Sequence, residues 1–170
     1  SFTSRDKSIL TKAFITYVGL RPLLEYCTPV WSPHNIGNIN KVEDVQRRFT
    51  KSMNGLSSLP YISRLYELSL ETLESRRLKQ DLVMCYRIIN GDVEIDPTSF
   101  FAFSTNCITR GHRYKLLKQS MRVDAYNFSF ANRVFTAWNN LPASVVDSVN
   151  VNMFRNRLNA VNMSQYYVIV

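Results

Sequence analysis

Apolar residues recur at helical spacing along most of this chain, and glycine seldom interrupts them. Only 5 of 170 residues are Gly (positions 19, 37, 55, 91 and 111), roughly 3% where about 7% is usual. No two lie closer than 18 positions. Dinucleotide-binding GxGxxG turns and Walker A loops need clustered Gly so that backbone can approach phosphate, so both are excluded. The pattern predicts a mainly α protein: a helical bundle followed by a smaller α region with at most one short β-hairpin.

The stripes place the elements. Ile9, Leu10, Ala13, Phe14, Tyr17 and Val18 predict a first helix, capped by Ser4 and stopped at Gly19. Pro22 opens a second, because the first helical position needs no amide donor, and Leu23, Leu24, Tyr26 and Cys27 carry it to Pro29. Ile39, Val42, Val45, Phe49 and Met53 predict the buried face of a third, ended by Asn54-Gly55. A short helix follows Pro60 with Ile62, Leu65 and Leu68 inward. Ser69 is the expected cap of the longest helix, whose stripe is Leu70, Leu73, Leu78, Leu82, Cys85 and Ile89, closed by Asn90-Gly91.

Beyond a loop at Asp92 to Pro97, one helical turn is expected between Pro97 and Phe103. A hairpin pairing residues 114–118 with 121–123 is expected next, an irregular basic loop being the alternative. Phe130, Val134, Phe135 and Trp138 return to helical spacing until Leu141-Pro142. Short helices follow at 144–148 and 150–160, the latter with Val151, Phe154 and Leu158 inward. The expected segments are 1–55, 56–96 and 97–170.

The composition is globular, and the longest uncharged stretch, Tyr26 to Asn40, is 15 residues with two prolines. A membrane span needs about 20 apolar residues, so no membrane partner is expected. Three widely spaced cysteines (Cys27, Cys85, Cys107) suggest reduced thiols in a cytoplasmic or nuclear setting rather than a disulfide framework. Neither His34 nor His112 has ligands at metal spacing, and no metal site is expected. Asp92, Glu94 and Asp96 alternate as in a calcium loop, but Phe103 stands where the closing Glu would be. There is no adjacent Asp-Asp pair and no Gly-x-Ser-x-Gly elbow, which argues against an independent catalyst.

Charge is the remaining signal. The net charge is +8, and residues 97–170 supply +6 of it, with 8 basic and 2 acidic residues. Residues 105–122 hold five Lys or Arg, one His and no acid. Such a segment repels itself unless solvent or a polyanion takes up the charge. Three clusters could neutralise phosphates while Tyr or His stacks on sugar or base. They are Arg47, Arg48 and Lys51; then Arg76, Arg77 and Lys79; then Arg110, His112, Arg113, Tyr114, Lys115 and Lys118. The plain alternative is a solvated, ion-paired face, and it is strongest at 71–81, where Glu71, Glu74 and Asp81 intervene. The candidate nucleic-acid-binding residues are therefore those of the first and third clusters.

Five strings carry a resemblance. They are Arg21-Pro-Leu-Leu-Glu-Tyr-Cys-Thr-Pro-Val-Trp-Ser-Pro33; Val45-Gln-Arg-Arg-Phe-Thr-Lys51; Leu73-Glu-Ser-Arg-Arg-Leu-Lys-Gln-Asp-Leu82 with Tyr86-Arg-Ile-Ile-Asn-Gly91; Thr109-Arg-Gly-His-Arg-Tyr114; and Asn132-Arg-Val-Phe-Thr-Ala-Trp-Asn-Asn-Leu-Pro142. In this order, over roughly residues 9–158, the chain resembles the carboxy-terminal region of the reverse transcriptase of a LINE-type, jockey-like non-LTR retrotransposon.

The resemblance implies a fragment of an RNA-directed DNA polymerase. Residues from about Asp6 to Gly55 would be thumb, and the rest carboxy-terminal extension. The palm, with its carboxylates and magnesium, would precede Ser1, so no cofactor is expected in this chain. RNA, an RNA–DNA duplex and the upstream palm would be its partners. Gly19-Leu20 separates Tyr17-Val18 from Arg21-Pro22, which the family joins, and the tail 166–170 has no counterpart. The competing reading is a helical protein-interaction module, a domesticated retroelement remnant.

Overall fold

A computed structural model describes residues 7–17, 20–104, 111–118 and 124–167. The fold is mainly helical, with one two-stranded antiparallel pair among the described residues. The chain forms two compact units, Ser1–Arg77 with Tyr167–Val170, and Leu78–Tyr166. That division does not follow the expected segments 1–55, 56–96 and 97–170. The expected Ser4 cap and Gly19 stop, Cys107, Arg110 and the strand 121–123 lie outside the described residues.

In the first unit, α1 (Lys7–Lys12) runs into a wider π turn at Ala13–Tyr17. Ala13 and Phe14 are buried, and the Phe14 ring stacks on Phe49 at 4.4 Å, whereas Ile9 points to solvent. Helix α2 (Leu20–Glu25) stops before the expected Pro29, because Cys27 takes a φ of +51°, outside helical space. Asn35 caps α3 (Ile36–Lys51), its side chain accepting from the Gly37 amide at 2.8 Å. A positive φ of +74° explains the Gly at position 55, in the turn beyond.

The inward face of α3 is the expected apolar one only in part: of that stripe, Ile39 and, just beyond the helix, Met53 are buried. Ile39, Glu43, Gln46 and Thr50 are buried, while Val42, Val45 and Phe49 are half-buried. The cause is what α4 (Tyr61–Glu67) and the start of α5 (Leu73–Ile89) present to it. The Glu43 carboxylate accepts from the Leu73 amide (3.1 and 3.0 Å to its two oxygens) and from the Tyr61 hydroxyl. Gln46 Nε2 donates to the Tyr61 hydroxyl and to the Glu71 carbonyl, both at 2.9 Å. Arg64, buried, donates to Thr50 Oγ1 at 3.2 Å and to the Leu59 carbonyl at 2.9 Å. Hydrogen bonding on this scale offsets the cost of burying the groups.

Ser69 is not the cap of α5. Its φ is +52°, and the helix begins at Leu73 with Thr72 Oγ1 accepting from the Ser75 amide at 3.1 Å. Arg21 and Arg76 converge on Glu25, at 3.1 and 2.9 Å. Ser75 Oγ lies 2.9 Å from the Tyr167 hydroxyl and 3.1 Å from Glu71 Oε2, which ties residue 167 to this unit.

In the second unit, Leu82, Cys85, Tyr86 and Ile88 of α5 are buried. Tyr86 stacks on Phe154 at 4.4 Å and donates to the Ser148 carbonyl at 2.6 Å. Buried Asp81 pairs with Arg133 at 3.1 Å. Asp96 caps one 3₁₀ turn, Pro97–Ser99, where a helical turn is expected. Among the described residues, β2 (Leu116–Leu117) pairs antiparallel with β1 (Ala102–Phe103), Ala102 opposite Leu117.

After α6 (Asp124–Asn127), α7 (Phe130–Asn139) buries Phe130, Val134, Ala137 and Trp138 and ends before Leu141-Pro142, as its spacing predicts. α8 (Ala143–Val146) follows, then α9 (Val151–Asn159), capped by Asn150 on the Met153 amide at 2.9 Å, with Phe154 and Leu158 inward.

Candidate functional site

The first basic cluster lies in the last turns of α3. Arg47 is half-buried and engaged: its guanidinium donates to Asp44 at 2.9 Å and Asn40 at 3.2 Å and covers the Tyr61 ring at 5.2 Å. Arg48 and Lys51 are exposed. Cations here also complement the negative end of the helix dipole, so part of their role is local.

The third cluster is described from Gly111 to Lys118, without Arg110, and its side chains divide into two groups. His112 and Lys115 turn inward. His112 is 3% exposed, its Nε2 lies 3.0 Å from the Trp138 carbonyl, and its ring meets Trp138 edge-on at 5.7 Å. This corrects the expectation that His112 stacks on sugar or base. Burial holds its pKa below the ordinary imidazole value, against the pull of the Trp138 hydrogen bond. Lys115 is half-buried and its Nζ donates to the Asn139 carbonyl, so it neutralises the C-terminal end of α7 instead of reaching outward. Burial lowers its pKa as well.

The backbone of the segment is fixed to the same turn. The Trp138 indole donates to the Tyr114 carbonyl at 2.8 Å, and the Asn139 side chain exchanges two hydrogen bonds with the Leu116 backbone, both at 2.9 Å. Gly111 has a φ of +120°, and a Cβ there would sit 2.8 Å from Lys115 Nζ. Arg113 and Lys118 remain outside, Arg113 lying over the half-buried Tyr114 ring at 4.7 Å.

The second cluster is absorbed by the fold at two positions: Arg76 pairs with Glu25, and Arg77 is buried. Arg48 and Lys51 belong to the first unit, Arg113 and Lys118 to the second. None of these four forms an ion pair with a described residue. Among the described residues, no group of three or more His, Cys, Asp or Glu is placed to hold a metal ion. No helix among them is long and apolar enough to cross a membrane. Cys27 and Cys85 are free thiols.

Sequence reasoning missed the buried polar set Glu43, Gln46, Thr50, Tyr61 and Arg64. Hydrophobic periodicity scores only apolar residues, so these carried no signal. It also missed three exposed apolar side chains in the first unit: Leu23 is 70%, Tyr26 71% and Val30 84% exposed. The chain matches no protein family model, no curated protein and no solved structure.

Proposed function

We propose that this chain is a non-catalytic, nucleic-acid-gripping carboxy-terminal part of a LINE-type reverse transcriptase, holding an RNA–DNA duplex or the element's RNA through phosphate contacts. The observation that carries this reading is the set of exposed cations Arg48, Lys51, Arg113 and Lys118, each without an ionic partner among the described residues. The five ordered motifs and the +6 charge of residues 97–170 support it. Phosphate contact is independent of sequence and releases counterions, so it predicts weak base preference and strong salt dependence. RNA, the duplex and an upstream palm are the proposed partners.

With four contacts, log K for a short RNA–DNA hybrid should fall with log salt at a slope of about −3 to −4. Substituting Arg48 and Lys51 by Ala should flatten that slope by about 2, and so should substituting Arg113 and Lys118. Melting curves should not move, because all four side chains are exposed. Unchanged slopes in both double variants, or no binding by the parent chain, would overturn the reading.

Exposed Leu23, Tyr26 and Val30, close in sequence, favour a second reading, a helical protein-interaction module that would cover them. That reading predicts no salt-dependent nucleic-acid binding at all.

A further inference from the structure

We propose that residues 112–117 form a proton-released strap: neutral His112 pins the segment to the C-terminal turn of α7, and a proton added to its Nδ1 frees it. The geometry fixes the tautomer. The Trp138 carbonyl can only accept, so the imidazole Nε2 at 3.0 Å carries the proton and Nδ1 holds the lone pair. That Nδ1 is buried and has no hydrogen-bond partner among the described residues. A second proton would create a donor with no acceptor on a ring that is 3% exposed. Two charged groups act on the ring: Lys115, from the strap itself, opposes protonation, and Asp147, at the end of α8, favours it. Burial outweighs both.

What protonation would release is narrow. Toward α7, the strap's hydrogen bonds among the described residues go to Trp138 and Asn139, through His112, Tyr114, Lys115 and Leu116. Its other edge stays held, the Lys115 carbonyl accepting from the Ser104 amide at 2.8 Å and Leu116–Leu117 pairing with β1, so only the α7 side is released. Once lifted, the imidazole regains water and titrates near its ordinary pKa of about 6.5. Opening therefore takes up one proton. Its equilibrium constant should rise about tenfold per pH unit below about 6.5, until the pinned form itself protonates. The strap carries Arg113 and ends beside Lys118. If those residues hold phosphate, which rests on the reading above, acidification also loosens their placement.

The test is hydrogen exchange on the full chain between about pH 7.5 and 5.5, corrected for intrinsic exchange, on either side of the ordinary imidazole pKa. The probes are the Trp138 indole N–H and the Leu116 amide, both closed by strap hydrogen bonds. Opening should rise with falling pH in the parent and stay flat in His112→Gln, whose amide can still donate to the Trp138 carbonyl but cannot titrate. No rise in the parent, or the same rise in His112→Gln, overturns the proposal. Should His112→Gln not fold, the NMR titration of His112 in the parent decides. A His112 pKa at or above about 6.5 overturns it, and a lower one with coincident loss of Leu116 protection supports it. Affinity for the RNA–DNA hybrid is read alongside. A released strap with unchanged affinity would overturn the phosphate role of Arg113 and leave the strap standing.

Discussion

A Glu43→Ala variant is expected to unfold about 3–5 kcal/mol more easily than the parent chain, the usual cost of removing one member of a buried charged network. Glu43 is 0% exposed, and its carboxylate sits at the positive end of α5, accepting from the Leu73 amide and the Tyr61 hydroxyl. Alanine would leave both donors buried without that acceptor. Glu43→Gln keeps one acceptor oxygen but sets an NH₂ against a donor, and about 1–2 kcal/mol is expected to go. Val42→Ala is the decisive control, because hydrophobic spacing names Val42 as the inward residue and the structure leaves it half-buried. Urea denaturation followed by circular dichroism reads all three. A larger loss in Val42→Ala than in Glu43→Ala would show that the apolar stripe faces the core after all.

The same carboxyl predicts a pH dependence. Burial raises its pKa above the ordinary Glu value, although the Tyr61 hydroxyl, the Leu73 amide and Arg77 pull the other way. A raised folded pKa means that the native state binds the proton more tightly than the unfolded chain. The stability it contributes is full below the unfolded pKa of about 4.5 and is lost as pH rises through the folded value. At neutral pH the ionised group is therefore held at a cost. Mild acidification should return part of it in the parent and none in Glu43→Gln.

In the second unit the largest effect is expected from Trp138→Ala, a loss of about 3–5 kcal/mol. The side chain is 0% exposed, its ring lies 6.1 Å from that of Phe154, and its indole holds the Tyr114 carbonyl. Truncation leaves a large cavity and an unmet carbonyl together. Trp138→Phe refills most of the volume and loses only the donor, so about 1–2 kcal/mol should go, with faster exchange at the Leu116 amide. Equal losses in the two variants would mean that the indole hydrogen bond, rather than packing, holds this turn.

The candidate site was legible in part. The absence of acids around residues 110–118 identified a segment whose charge needs an outlet, and Arg113 and Lys118 are exposed there. For His112 and Lys115 the outlet is internal: a carbonyl and a helix terminus supplied by α7. A run of basic residues in sequence does not say which of them meet a local acceptor. Arg76 and Arg77 make the same point, one paired with Glu25 and the other buried.

The helices and several of their ends follow from local sequence alone. Apolar spacing set α7 and α9, Pro142 lacks the amide that a continuing helix needs, Gly91 takes the φ of +73° that closes α5, and Asn35 and Asn150 supplied caps that need only neighbouring amides. Which face of α3 turns inward and which cations stay at the surface are settled only in the assembled fold. These choices depend on groups distant in sequence, Leu73 30 residues from Glu43 and Trp138 26 from His112. Backbone preference and hydrophobic periodicity act within a few residues. A buried polar side chain is stable only where a partner arrives, and the partner's position is a property of the assembled fold.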